Sequence, residues 1–230
     1  MRHAIISIVC ALGAIGLLQQ AAQAQARIAQ FGAEHIIKAD KTVIVTETIV
    51  LNIKGNAEHG LVRKFPTKMG VYGGKPAQYR VMMCFLDSKQ FVAPSKSEGD
   101  SALVVLRTEA PLSPGLHTFV LQYEASGWVY PGARHDALWL NLIRDLGLPV
   151  DKAELFVRFA GFPGVAKIPR KYFVSQQGRI VDFSDYFSDQ VLGSETVRII
   201  STGALSDDIE IALAMRVPHG VLDRDKPPAS

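Results

Sequence analysis

Between residues 27 and 222 apolar and polar residues alternate with a period of two far more often than with the 3.6 of a helix. Ile209, Ile211, Leu213, Met215 and Val217 alternate with Glu210, Ala212, Ala214 and Arg216, the pattern of a strand with one buried face. "TVIVTETIVLNI" and "HTFVLQYE" behave likewise, and "YRVMMCFL", "ALVVLRT", "ELFVRFAG" and "TVRIIST" are apolar runs of strand length. Turn chemistry separates them: "YGGKP" at 72–76, "LSPG" at 112–115, "YPG" at 130–132, "GFPG" at 161–164 and "QQG" at 176–178. Helical period is nearly missing, and "WLNLIRDLGL" could hold one turn at most. About ten strands on roughly 200 residues predict an all-β fold, an antiparallel β-sandwich. A shift near "LGLPVDKAE" (146–154) marks either two packed sandwich-like halves or a loop within one domain, since single all-β domains reach this size.

The first 26 residues break the pattern. A basic start, an apolar run from Ala4 to Leu18 and small residues spaced as A-x-A have the anatomy of a signal-peptide helix. The run is about 15 residues, short of the roughly 20 that cross a bilayer as a helix. Cleavage is expected after Ala24 or Ala26. The alternative is a retained signal anchor. Residues 27–222 then form the β domain, and the polar tail 223–230, "DRDKPPAS", is expected to be disordered. No later apolar run escapes interruption by charges, Pro or Gly, so no transmembrane span is expected after cleavage.

Export changes the reading of the cysteines. Cys10 leaves with the signal, and Cys84 remains alone, without an intramolecular partner. In "YRVMMCFL" it reads as a small buried hydrophobe. The formal net charge of +3 falls by one with Arg2. The remaining Lys and Arg are scattered, which excludes the electrostatic footprint of a nucleic-acid binder. Short clusters such as Arg63-Lys64 and "KIPRKY" (167–172) could touch an anionic envelope component, although solvated faces explain them as well.

Catalytic signatures are missing: there is no H-E-x-x-H, G-x-S-x-G, C-x-x-C or phosphate-binding loop. His35, His59, His117, His135 and His219 lack a second His or Cys at ligand spacing, so neither a metal nor another cofactor is expected. His135-Asp136 could be a base and its neighbour, but adjacent residues of an extended chain point to opposite faces, which favours a surface turn. Glu47 is more informative. Val43, Val45, Ile49, Leu51 and Ile53 share its phase, so a regular strand carries this carboxylate into the core, where it needs a partner. Arg63 is the first candidate, because a guanidinium offers two donors to a carboxylate. The competing reading is a bulge at 46–48 that turns Glu47 into solvent. In "YPGARHDALWLNLI", "YPG" reads as the turn, "ARHD" as an exposed connection and "ALWLNLI" as a strand covered on both faces, with Trp139 in the core and Asn141 in need of hydrogen-bond partners. The loop Tyr130 to Asp136 is richest in donors and aromatic surface. Tyr130, Arg134, His135 and Asp136, with Arg63 and Lys64 as a second basic loop, are therefore the candidate binding residues.

Five segments fall in a recognisable order: Glu47 in the early strand; Gly60, Arg63, Phe65 and Pro66; Pro114, Gly115 and Tyr123; His135, Asp136, Leu138, Trp139 and Asn141; and Pro218, Gly220 and Val221. This order resembles the N-terminal extracytoplasmic domain of the bacterial family called domain of unknown function 2207, the predicted membrane proteins. The resemblance implies a β-rich, envelope-facing domain and no known activity. Members carry transmembrane helices after the β domain, and residues 27–230 hold no such run.

The expectation is therefore an extracytoplasmic domain, periplasmic or secreted, that acts as a binding, sensing or interaction module for an envelope protein or anionic envelope component. The alternative is an envelope hydrolase or carbohydrate-active enzyme using Glu47 or Asp136. The exported protein is expected to begin at Gln25 or Arg27 and to fractionate as soluble. N-terminal sequencing decides this, and recovery only in membranes with Met1 retained would mean a signal anchor.

Overall fold

The structure, a computed structural model, describes residues 26–55, 58–68, 76–162 and 164–222. Residues 1–25, where the signal-peptide helix is expected, most of the "YGGKP" segment and the tail 223–230 lie outside the described residues. The first six strands are β1 (Arg27–Ile37), β2 (Val43–Ile53), β3 (Gly60–Pro66), β4 (Gln78–Leu86), β5 (Lys89–Phe91) and β6 (Ser95–Glu98). The next five are β7 (Ser101–Arg107), β8 (Gly115–Ser126), β9 (Val129–Tyr130), β10 (His135–Ile143) and β11 (Ala153–Phe159). The chain closes with β12 (Arg170–Gln176), β13 (Arg179–Val181), β14 (Phe187–Leu192), β15 (Thr196–Ser201) and β16 (Glu210–Pro218). Two 3-10 turns, Val165–Lys167 and Phe183–Asp185, are the helical elements among the described residues.

The strands form an eight-stranded sheet in the order β14-β15-β11-β1-β2-β8-β4-β5, a five-stranded sheet in the order β13-β12-β16-β10-β9, and a three-stranded sheet in the order β3-β7-β6. All pairs are antiparallel except β1 with β11. That parallel pair carries the large sheet from residues before 146 to residues after 153, so the sheet is continuous across the shift in composition. One buried cluster draws side chains from all three sheets, which makes the protein all-β and layered about a single core.

The alternating sequence explains which faces meet. β2 buries every second residue from Val43 to Ile53, and β16 buries Ile211, Leu213, Met215 and Val217, as a two-residue period requires. The strand count exceeds the ten read from the sequence because several strands are short and because β1 and β12 are hidden in it. The β1 ladder slips between Ile28 and Gln30, so inward residues pass from Ile28 to Phe31, Ala33, His35 and Ile37 and the alternation changes phase. "KIPRKY" leads into β12, with Lys167 and Lys171 exposed and Arg170 half-buried. "WLNLIRDLGL" holds no helical turn; it is the end of β10 and an irregular loop. Gly60 opens β3 at φ +121, where an added Cβ would lie 2.1 Å from the Leu106 carbonyl oxygen. Only glycine fits that approach.

Candidate functional site

Three positions could carry chemistry: a polar cluster in the core, a histidine turn at the rim, and the outer face of the five-stranded sheet. The core cluster grows from the phase of β2. Its ladders with β1 and β8 run without a break through Thr46, Glu47 and Thr48, so no bulge turns Glu47 outward and the residue is 3% exposed. Arg63 points inward from β3 between Leu61 and Phe65 and is equally buried. Its Nε donates to Glu47 Oε2 at 2.7 Å and its Nη2 to Oε1 at 3.0 Å, while Nη1 donates to the carbonyls of Arg144 (2.9 Å) and Asp145 (3.3 Å). Tyr123 O–H adds a bond to Glu47 Oε1 at 3.3 Å, and the guanidinium carbon lies 5.1 Å from the centre of the Phe65 ring. Both carboxylate oxygens are thus occupied, and the pair is sealed from solvent.

His35 is the member that sequence reasoning missed. It shares the inward phase of β1, lies across the sheet from Val45 and packs near Trp128, with ring centroids 6.4 Å apart. Its Nδ1 is buried without a hydrogen-bond partner. Burial lowers its pKa to about 4 despite the opposing pull of Glu47. The same phase argument that picks out Glu47 applies to His35, but the β1 slip hides it.

A Ser-His-Asp arrangement exists at the rim. His117 Nδ1 lies 2.8 Å from Asp87 Oδ2, and its Nε2 lies 3.4 Å from Ser113 Oγ and 2.8 Å from the Ser113 carbonyl. Both ring nitrogens therefore face acceptors, and the bond to Asp87 raises the pKa. Nε2 is directed at the Ser113 carbonyl at 2.8 Å and lies farther, at 3.4 Å, from the hydroxyl, so the ring is placed to hold the backbone and not to take the Ser113 proton. The arrangement fastens the turn before β8.

The candidate binding residues are dispersed. Arg63 is not in a loop but buried on β3, while Lys64, its neighbour, is exposed. Tyr130 does not offer an open stacking face: it is 7% exposed on β9. Asp136 is not in an exposed connection either; it is 6% exposed on the inner face of β10 and lies 3.4 Å from Lys41 Nζ. Arg134 is exposed and His135 half-buried on the outer face. Trp139 is half-buried on that outer face instead of in the core, and its indole N–H donates to Asn141 Oδ1 at 3.2 Å. Cys84 faces the core, where burial raises its thiol pKa.

The outer face of the five-stranded sheet gathers what the loop does not. Trp139 of β10 pairs across with Ala214 of β16, and Phe173 of β12 with Ala212. The two rings come together with centroids 5.0 Å apart. Beside them, Asn141, Arg144, Phe173, Ser175 and Glu210 line a cleft of about 230 Å³. A second concavity on the other side of Phe173 is lined by His135, Ala137, Lys171 and Arg216.

A model of the family described as "Predicted membrane protein (DUF2207) N-terminal domain" matches residues 27–205. The chain belongs to this family. The match begins at the first residue of β1 and covers fifteen of the sixteen strands. No curated protein matches this DUF2207 domain. Among solved structures it is similar to native yeast LTA4 hydrolase, with a TM-score of 0.52 at 7% identity over 82% of this chain and 29% of that one. It is also similar to the M1 zinc metallopeptidase from Deinococcus radiodurans, with a TM-score of 0.41 at 8% identity over 82% of this chain and 42% of that one. The DUF2207 domain thus spans under half the length of either, and at 7% identity the likeness to the yeast enzyme shows fold alone. Among the described residues no three His, Cys, Asp or Glu side chains are placed to hold a metal ion, and no helix is long and apolar enough to cross a membrane.

Two outcomes are expected from the core cluster. Glu47→Ala should cost roughly 3 to 5 kcal/mol because it strands the Arg63 charge, and the double variant Glu47→Leu/Arg63→Met should recover part of that loss. Urea unfolding measures both, and a single-variant cost below about 0.5 kcal/mol would contradict the buried pair. The depressed pKa of His35 means that the unfolded chain takes up a proton below pH 6.5 that the folded chain refuses until about pH 4. Stability from this group is therefore complete above pH 6.5 and declines as the pH falls, by on the order of 3 kcal/mol at pH 4. The same titration on His35→Leu should show a shallower decline, and parallel curves would refute the assignment.

Proposed function

We propose that this domain is an extracytoplasmic binding module of the cell envelope, with the outer face of the five-stranded sheet as its contact surface. The observation that carries this reading is the contrast between the outer faces of the two larger sheets. On the eight-stranded sheet, charges are closed by cross-strand pairs: Arg158 with Glu34 at 2.8 Å, Arg198 with Glu154 at 2.6 Å and Arg80 with Glu124 at 3.0 Å. Such a face is satisfied in water. On the five-stranded sheet, an aromatic pair lies over small alanines, and Lys171 and Arg216 have no carboxylate partner among the described residues. Aromatic rings beside uncompensated cations, next to concavities, are the features of a recognition surface. The family description as a predicted membrane protein supports a location beside a membrane. The carboxylates that a hydrolase would use are engaged elsewhere: Glu47 by Arg63 and Tyr123, and Asp136 by Lys41.

Purified protein is expected to cosediment with isolated bacterial cell envelopes. Trp139→Ala/Phe173→Ala should remain in the supernatant while still unfolding cooperatively, and Leu116→Ser, on the exposed surface of the other sheet, should sediment like the parent. Equal sedimentation of the aromatic variant would remove this face, and with it the reading.

A further inference from the structure

We infer that the ligand of this face is an anionic glycan, a chain of sugar rings bearing carboxylate or phosphate groups; the inference rests on the binding face proposed above. The centre of the face is closed to one common form of peptide recognition. β16 is laddered to β10 on one side and to β12 on the other, so no strand can be added at the middle of the face, where the alanines and the two rings lie. Whatever lies on this face is read by side chains.

Those side chains suit sugar rings. Ala137, Ala212 and Ala214 make a shallow floor, with Trp139 and Phe173 rising from the flanking strands. The C–H face of a pyranose is flat and apolar and packs on such rings, while its hydroxyls look for mixed donors and acceptors at the margin. Ser175 and the Arg144–Glu210 pair, 3.5 Å apart, supply both at the adjoining cleft, and about 230 Å³ accommodates a sugar ring. At the opposite end the polar groups are basic. Lys171 pairs across with Ala214 on the side away from Trp139, Arg216 pairs across with Ala137, and His135 lies at the end of the same outer row. The Lys171 ammonium lies 5.0 Å from the centre of the Phe173 ring, which keeps a cation at the edge of the stacking surface. Arg170, by contrast, is tied to Asp189 at 2.8 Å and is not available. From His135 to Asn141 the outer row of β10 extends about 20 Å at roughly 3.3 Å per residue, which suits a chain of several sugar units instead of one small anion.

The test is calorimetric titration with two anionic glycans, polygalacturonate and phosphomannan, which separate carboxylate from phosphate as the recognised group. Fully methyl-esterified polygalacturonate and poly-L-glutamate serve as comparators. At least one anionic glycan should bind, with affinity that falls as salt rises. Trp139→Ala and, independently, Lys171→Glu/Arg216→Glu should each weaken it by about tenfold or more, and both comparators should bind weaker than that glycan by a similar factor. Binding of neither glycan, equal binding of poly-L-glutamate, or unchanged affinity in the charge variant would overturn the inference. If envelope sedimentation still depends on Trp139 and Phe173 in that event, the ligand class falls and the binding face stands. If it does not, both fall.

Discussion

The bond between Arg63 and Glu47 is the constraint around which the three sheets are arranged. Glu47 belongs to the eight-stranded sheet, Arg63 to the three-stranded sheet, and the carbonyls of Arg144 and Asp145 to the loop that leaves the five-stranded sheet. One guanidinium thus reaches all three. Its planar fork fixes directions as well as distances, which an apolar contact would not. A buried ion pair contributes little net stability compared with an apolar replacement, because desolvation offsets much of the attraction. Its effect is on registration: Asp145 adopts φ +49, an unusual value for a residue with a side chain, and in that conformation its carbonyl meets Arg63. The aromatic residues around the pair complete the joint. Phe65 lies against Tyr79 and Tyr123, and Tyr79 O–H donates to the Pro66 carbonyl at 2.7 Å.

Closing this joint leaves its polar groups out of reach and bears on the surface proposed for recognition. Once Glu47, Tyr123 and His35 are enclosed, the strongest polar groups of the interior no longer meet a ligand. The rim histidine is spent on a turn, and cross-strand pairs close the outer face of the large sheet. On the outer face of the five-stranded sheet Arg144 lies 3.5 Å from Glu210 at one end, but Lys171 and Arg216 at the other are not closed in this way, and the central strand presents Ala212 and Ala214 where a sheet in contact only with water needs no clearance. The small residues matter as much as the rings: larger side chains on β16 would fill the space that Trp139 and Phe173 border.

Much of this was legible in the sequence, and the failures have physical causes. Period two marks β2, β8 and β16, and the phase of β2 turns Glu47 inward only if the strand is regular; the competing bulge at 46–48 is decided by the unbroken ladders to β1 and β8. The same rule, applied to β10, would have set Trp139 and Asn141 on one face and Leu138, Leu140 and Leu142 on the other. Reading "ALWLNLI" as a run covered on both faces concealed this, because a half-buried tryptophan counts as apolar in any hydropathy pattern. The turn signal of "YPG" places Tyr130 and Asp136 in a loop, but the turn occupies only the residues between β9 and β10. His35 was lost to the slip in β1, and Phe173 to the basic residues that open β12. In each case a local signal was sound and the pairing partner, which one sequence does not specify, decided the outcome.

The five-stranded sheet also bears on where the folded unit ends. The family match stops at Leu205, yet β16 begins at Glu210 and is the strand that joins β10 to β12. Without it, two strands would present unpaired ladders and the core would lose Ile211, Leu213, Met215 and Val217, all at most 1% exposed. An open pair of edges and an uncovered apolar face are both costly in water. The unit that can fold therefore includes β16 and the buried Val221 and Leu222 after it. The aromatic pair depends on the same strand, because Trp139 and Phe173 stand on strands that only β16 holds side by side. The surface proposed for recognition is thus completed by a segment beyond the family match, and its alanines at 212 and 214 are as much a part of it as the rings.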